Sequence, residues 1–463
     1  MSSLLKRILI IFALLLAGVI FLAVSGQKSK LVIGHGEDKF YAELVEESSR
    51  EEASSIAESV RESSVEASIE ESIAEASSIA ASIEESIAIE ESIAESIEAS
   101  KAAVEPVTVT ITAIGDMLMH ADISRRAVMA DGSYNYDFLF ENTHQIFQAS
   151  DLAVLNNEAI MGGNHIGNVG YPCFNVRDEL GDAEVRAGFD VVLSANNHVR
   201  DQEMSGLMHM CEFWQRYPEV RLLGIHPNAE HAEEIQTIER KGITFALLNY
   251  TYGMNGFSLP AGYEWAVDLM LEDRKPRIAD QLRRASEIAD FVIVFPHWGI
   301  EYDLHHNEEQ ENWAKFFIEN GADLIIGGHS HCLQEVQQVT ADNGRSAPVF
   351  YSLGNYVSLQ FYNYSMLGGI AHVSVTKDGY GIRVSDIWEE FTVHHYLPGY
   401  TATWVYRFDQ FTNEIAASSG IPVMITSPAR VAVNTAIPLT VESFQNLINT
   451  IVPNVGRYPG HGM

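Results

Sequence analysis

The chain has 463 residues, enough for two or three domains with a sizeable core. A hydrophobic content of 46% with 10% aromatics is that of a globular protein and excludes disorder throughout. Basic residues number 29 against 63 acidic ones, a net of −34, and Lys and Arg cluster no further than dipeptides and short triplets, which excludes a nucleic-acid binder. The three cysteines, Cys173, Cys211 and Cys332, lie far apart without a C-x-x-C pair. They define neither a disulfide framework nor a structural zinc site and read as small buried hydrophobes.

At the N-terminus Lys6 and Arg7 precede 17 uncharged apolar residues, 8–24. The run reads as an uncleaved single-span anchor within residues 1–30, placing the rest of the chain outside the cell membrane. Ala23-Val24-Ser25 offers the alternative of a cleaved signal peptide. Residues 31–106 read as a helical or disordered stalk. Within it, 43–100 hold 17 Glu and 16 Ser against two Arg, a net of −15, with no Gly, Pro or aromatic residue. Ile69-Glu-Glu-Ser-Ile73, Ile79-Ala-Ala-Ser-Ile83 and Ile89-Glu-Glu-Ser-Ile93 repeat every ten residues, with Ile pairs at helical spacing. Ten helical residues fall about 80° short of three whole turns, so no constant seam forms and a solvated spacer is expected rather than a coiled coil.

After Pro106 an alternating run, 107–114, reads as a strand ending in Gly115-Asp116. Further strands are expected at 152–155, 189–193, 243–250, 291–295, 324–327 and 349–353, and helices at 203–216, 273–289 and 308–320. This alternation predicts an α/β domain over 107–395. Residues 396–463 carry one helical patch, 441–451, and are expected to pack on the domain or to be partly irregular.

Five of the seven expected strands end in metal-capable or catalytic residue types. They lead into Asp116; Asn156-Asn157-Glu158; Asn196-Asn197-His198 with Asp201; His297-Trp298-Gly299 with Glu301; and Gly328-His329-Ser330-His331. Functional groups of α/β sheets gather where strand carboxyl ends meet. A pair of divalent ions needs carboxylate, imidazole and amide-oxygen ligands from separate rigid elements, and Asp116, Glu158, Asn197, His297, His329 and His331 supply six. On extended backbone the two rings of His329-Ser-His331 point to opposite faces, so the loop must turn one inward. His198, not needed as a ligand, is then free to protonate a leaving group.

These motifs, with Gly115-Asp116-Met117-Leu118-Met119, Gly321-Ala-Asp-Leu324 and Tyr351-Ser-Leu-Gly-Asn355-Tyr356-Val357, occur in the order of the bacterial CapA family, which they resemble over about 107–395. The family is named for poly-γ-glutamate capsule synthesis and is a branch of the calcineurin-like metallophosphoesterase superfamily. The resemblance implies a metallophosphoesterase-like two-sheet β-sandwich flanked by helices. It puts Asp116, Glu158, Asn197, His297, His329 and His331 at metal positions holding two divalent ions (Mn, Fe, Zn or Mg), and His198 and Asp201 at catalytic ones. Implied partners are poly-γ-glutamate or another envelope polymer and capsule-synthesis proteins. Two functions compete: a metal-dependent hydrolase or transferase acting on an envelope phosphoester or γ-glutamyl polymer, and a non-catalytic module that guides or tethers such a polymer.

The chain departs from the pattern in places. Leu118 stands where the superfamily has the His of Asp-x-His, with His120 two residues on; Glu158 replaces a bridging Asp, and Glu203 a common Gly. The family's Phe-Arg turn is matched only loosely by Phe174-Asn-Val-Arg177. Residues 107–463 carry 21 basic and 43 acidic residues, a net of −22, so an anionic polymer needs bridging cations or a local patch such as Arg125-Arg126 or Arg283-Arg284. Tyr351, Tyr356, Phe361, Tyr362 and Tyr364 are expected in the core, with a polymer-contacting rim as the alternative.

Overall fold

The structure is a computed structural model describing residues 52–360, 362–420, 423–424 and 437–453. The apolar run 8–24 lies outside these residues; among those described, no helix is long and apolar enough to cross a membrane. The chain divides into two units, residues 1–101 and 102–463.

A helix of 51 residues, Glu52–Ala102, makes up the described part of the first unit and ends one residue beyond it, rising over about 77 Å at 1.5 Å per residue. Its breaker-free composition explains its length. Ser77 and Ser86 return their hydroxyls to the carbonyls of Ile73 and Ser82. Ile73, Ile79, Ile83, Ile89, Ile93 and Ile97 stay exposed, as a drifting repeat requires.

Among the described residues, 14 strands form the two main sheets of the second unit, beside a short pair, Val423–Met424 with Ile437–Pro438. In chain order they are β1 (Val107–Met117), β2 (Leu152–Asn157), β3 (Val191–Leu193), β4 (Arg221–Leu223), β5 (Gln236–Arg240), β6 (Ile243–Thr251) and β7 (Phe291–His297). They continue with β8 (Leu324–Ile326), β9 (Val336–Thr340), β10 (Ser346–Phe350), β11 (Asn355–Val357), β12 (Leu367–Asp378), β13 (Gly381–Tyr396) and β14 (Thr403–Arg407). The first sheet runs β14-β13-β12-β1-β2-β3-β4 with β11 also pairing β1, and the second runs β5-β6-β7-β8-β10-β9. Strands β1 to β4 are mutually parallel, as are β6, β7, β8 and β10.

Alternation places the core. Val109, Ile111 and Ala113 of β1 meet Phe245, Leu247, Ile293 and Phe295 of the second sheet, so the sheets form a sandwich. The second sheet's other face packs helices Lys275–Ile288 and Glu308–Glu319 through Leu282, Trp313 and Phe317. With both faces covered, β6 and β7 are apolar almost throughout. The first sheet's outer face holds helices Glu179–Ala187 and Glu203–Trp214, the former not expected from sequence.

The expected elements occur with shifted ends: 189–193 shortens to β3, 349–353 becomes β10, and 273–289 opens with a 3-10 turn at Glu272–Arg274. Of the described residues beyond 395, β14 pairs β13, and Phe411, Phe444, Ile448 and Ile451 enter the first sheet's outer core. The aromatic rim alternative fails for Tyr351, Tyr356 and Tyr364, which are buried; Phe361 lies outside the described residues.

Candidate metal centre

The carboxyl ends of β1, β2 and β3 from one sheet and β7 and β8 from the other open onto one place. At the end of β1 the pairing register slips between Ala113 and Asp116. Gly115 permits this, because a Cβ there would lie 2.0 Å from the carbonyl oxygen of Gly354. The slip leaves Asp116 fully buried, accepting hydrogen bonds from Asn156 Nδ2 (2.8 Å) and the backbone N–H of His329 (3.1 Å). Gly328 gives room for that carboxylate, since its Cβ would come within 2.6 Å of Asp116 Oδ1.

All six expected ligands are brought together, each at most 2% exposed. His297 Nε2 lies 2.9 Å from Asn197 Oδ1 and 3.4 Å from Glu158 Oε1. His331 Nδ1 lies 3.2 Å from Asp116 Oδ2, and its Nε2 lies 3.7 Å from Glu158 Oε1. Donor atoms within 4.8 Å of one another come from Glu158, His297 and His329, and again from Asp116, Glu158 and His331. Glu158 is common to both groups. The His-x-His loop turns its rings to this place by leaving extended geometry: His329 has φ +93° and His331 φ +57°, conformations that L residues adopt at a cost.

The electrostatics oppose ordinary burial. Desolvation works to raise the Glu158 pKa, but the imidazoles of His331 and His297 outweigh it and hold the carboxyl below its usual range. Burial likewise disfavours charge on His331, yet Glu158 and Asp116 push its pKa up to about 10. His329 is driven well below its usual value by burial and by the neighbouring His297 and His331. Both oxygens of Glu158, Nδ1 of His329 and Oδ1 of Asn156 are buried without a hydrogen bond. Such atoms are rare unless another partner binds. Converging carboxylate, imidazole and amide donors with unused valence fit the divalent ions the resemblance implies.

His198 Nδ1 lies 2.7 Å from Asp201 Oδ2, which also accepts the N–H of Phe174 at 2.7 Å. The ring stands edge-on to Phe174, 4.7 Å between centroids. Asp201 therefore orients the imidazole and leaves Nε2 as the nitrogen available for proton transfer.

Several supporting roles escaped the sequence reading. Asn249, inside the apolar run of β6, accepts the N–H groups of Ser194 and Ala195 and donates to the carbonyl of Phe295, tying the two sheets under the site. A polar residue in a doubly covered strand was the available signal. Asn157 donates to the buried Glu184, and Asn355 Oδ1 lies 3.0 Å from His331 Nδ1. Among the described residues His120 is not in any of the donor groups that gather here; its Nδ1 is bonded by the backbone of Leu118 and Leu359, and burial takes its pKa down to about 4. Arg177 turns away to Glu179 and Tyr134. The two arginine pairs are engaged by acidic neighbours, Arg125 by Asp122, Arg126 by Glu141, Arg283 by Asp280 and Glu287, and Arg284 by Glu233 and Asp280, so neither forms an uncompensated basic patch.

Comparison with known proteins bears on this geometry. The family model of the bacterial capsule synthesis protein PGA_cap matches residues 110–360. The capsule biosynthesis protein CapA of Bacillus anthracis is 27% identical over 262 residues, 54% of this chain and 59% of that protein. The PGA biosynthesis protein CapA of Bacillus subtilis (strain 168) is 27% identical over 274 residues, 58% of this chain and 68% of that protein. The match thus spans about three fifths of the first relative's length. Among solved structures, a phosphatase from Mycoplasma pneumoniae aligns with TM-score 0.38 and 13% identity over 62% of this chain and 95% of that one. A putative 5'-nucleotidase from Staphylococcus aureus aligns with TM-score 0.35 and 16% identity over 61% and 54%. These structural likenesses are too loose to bear on chemistry. With the family model covering more than half of its residues, the chain belongs to the bacterial capsule synthesis protein PGA_cap family.

Proposed function

We propose that the 102–463 unit is a metal-dependent phosphoesterase-type hydrolase or transferase acting on an envelope phosphoester or a γ-glutamyl polymer. The carrying observation is the convergence of six buried donors from five strand ends, with the oxygens of Glu158 left unbonded between two ligand groups. Divalent ions held there would supply an activated water and polarise the oxygen under attack.

The chain's own residues account for the rest of the chemistry. Asp116, Glu158, Asn197 and the three imidazoles would hold the ions, Glu158 being shared by two of the donor groups. Asn249 and Asn157 hold the loops that present Asn197 and Glu158. His198, its Nδ1 fixed by Asp201, would give a proton from Nε2 to the leaving group. Family membership supports a capsule role, and poly-γ-glutamate is the polymer that the PGA name denotes. An anionic polymer would reach residues 107–463, of net charge −22, through bridging cations. We place the unit outside the cell membrane, with residues 8–24 as anchor and the helix from Glu52 as spacer.

Elemental analysis of the purified chain, combined with phosphodiester turnover in wild type and His198→Ala, tests the reading. Two bound ions and a 10²- to 10⁴-fold drop in turnover, on the order expected for loss of a general acid, are the expected results. No bound metal and equal turnover would overturn it.

A further inference from the structure

A third group of donors lies on the solvent side of the pocket. A carboxylate oxygen of Glu301, a ring nitrogen of His329 and one of His331 are within 4.8 Å of one another. His329 belongs also to the Glu158–His297 group and His331 to the Asp116–Glu158 group, so Glu301 faces both proposed ion positions through shared imidazoles. It is the one exposed residue in the three groups.

Its place is fixed by backbone. The segment after β7 runs beside the His-x-His loop, with Trp298 N–H bonded to Gly328 O (3.2 Å) and Tyr302 N–H to Ser330 O (2.8 Å). Gly299, at φ +93°, and Tyr302, at φ +66°, make the turn that leaves Glu301 between these two bonds. Among the described residues, no Lys or Arg pairs with Glu301 and no donor bonds its carboxylate, while its charge is felt by His331, Tyr252 and Tyr302. Leu118, 3% exposed in the apolar core, cannot act as a ligand, and among the described residues His120 is in none of the donor groups. The donor set is therefore one imidazole short on one side and holds an unengaged carboxylate on the other.

We propose that Glu301 is a further metal-binding residue, closing the solvent side of the pocket and supplying the donor that Leu118 withholds. The inference rests on the two-ion reading above. Exchanging a neutral imidazole for a carboxylate also brings a third negative charge to two divalent cations, beside Asp116 and Glu158. An exposed carboxylate on a fixed backbone can reach an ion and release it without unfolding the buried donors.

The test is Mn2+ titration of the full chain by calorimetry, with bound Mn2+ counted by electron paramagnetic resonance, for wild type, Glu301→Gln, Glu301→Asp and, as a surface control, Glu309→Gln. Thermal melts of the metal-free forms establish that each variant is folded. The expected result is two Mn2+ in wild type and the control, a loss of about 10- to 100-fold or more in affinity for one ion in Glu301→Gln, and partial recovery in Glu301→Asp. Two Mn2+ at wild-type affinity in Glu301→Gln would overturn the assignment of Glu301 and leave the two-ion reading standing. Wild type binding no Mn2+ would overturn both.

Discussion

Two buried carboxyl groups show what sets the pocket apart from the rest of the sandwich. Glu389 on β13 lies against Gly369, beside Leu333, with both oxygens buried and unbonded. Burial alone pushes its pKa up to about 8. Glu158 is more deeply buried, also without a hydrogen bond, yet His331 and His297 keep it ionised. A low-dielectric interior neutralises a carboxyl unless opposing charge is built around it. At Glu389 the protein accepts neutrality, whereas at Glu158 it maintains charge where a cation would sit.

The sharpest way to break this contrast is Glu158→Gln. Removing the donor common to two ligand groups is expected to weaken Mn2+ binding by at least about 100-fold, read by calorimetry, since outer-shell losses alone reach 10- to 100-fold. Retained affinity would mean that the pocket's charge serves folding rather than ions.

A smaller effect is expected at Glu389. Below pH 4.5, the ordinary glutamate value, both folded and unfolded chains are protonated there. As pH rises toward about 8, the unfolded chain gives up a proton that the folded one keeps, so stability falls. The slope from this group is about 1.4 kcal/mol per pH unit in that window. Denaturant unfolding of wild type and Glu389→Gln between pH 5 and 8 measures it as a difference, because the buried Glu184, also raised, contributes a slope of its own to both chains. Equal slopes in the two chains would show that Glu389 is charged in the fold.

The smallest effect concerns backbone alone. Glu203 adopts φ +60°. Glu203→Gly is expected to stabilise the fold by about 1 kcal/mol, seen as a raised melting temperature, because glycine takes that conformation without the Cβ penalty. A lower melting temperature would mean that the side chain contributes more than the strain it causes.

Much of the centre was legible because each donor follows a short apolar strand, and strand ends of parallel sheets converge. What the sequence hid is mostly long-range. Nothing near residues 329–331 announces that both histidines take positive φ, because that turn is imposed by Asp116 and by the segment after His297. Tyr351 and Tyr356 are expected in the core, but the sequence does not show what covers them, the second sheet and Phe147. The β12–β13 hairpin was missed for a related reason. Gly368 and Gly369 break its apolar pattern, yet each is needed there, since a Cβ would strike Asn355 O at 2.2 Å or Glu389 at 1.9 Å.

That hairpin also separates what is recognisable from what can fold. The family match ends at residue 360, while β12 zips along β1 from Val107 to Ile114, and β13 and β14 follow outward from it. Cutting the chain at the limit of its recognisable motifs would strip the central strand of a whole flank and lay bare a row of amides and carbonyls ready to join another molecule's sheet. The residues beyond the recognisable match are what keep its central strand paired on that side.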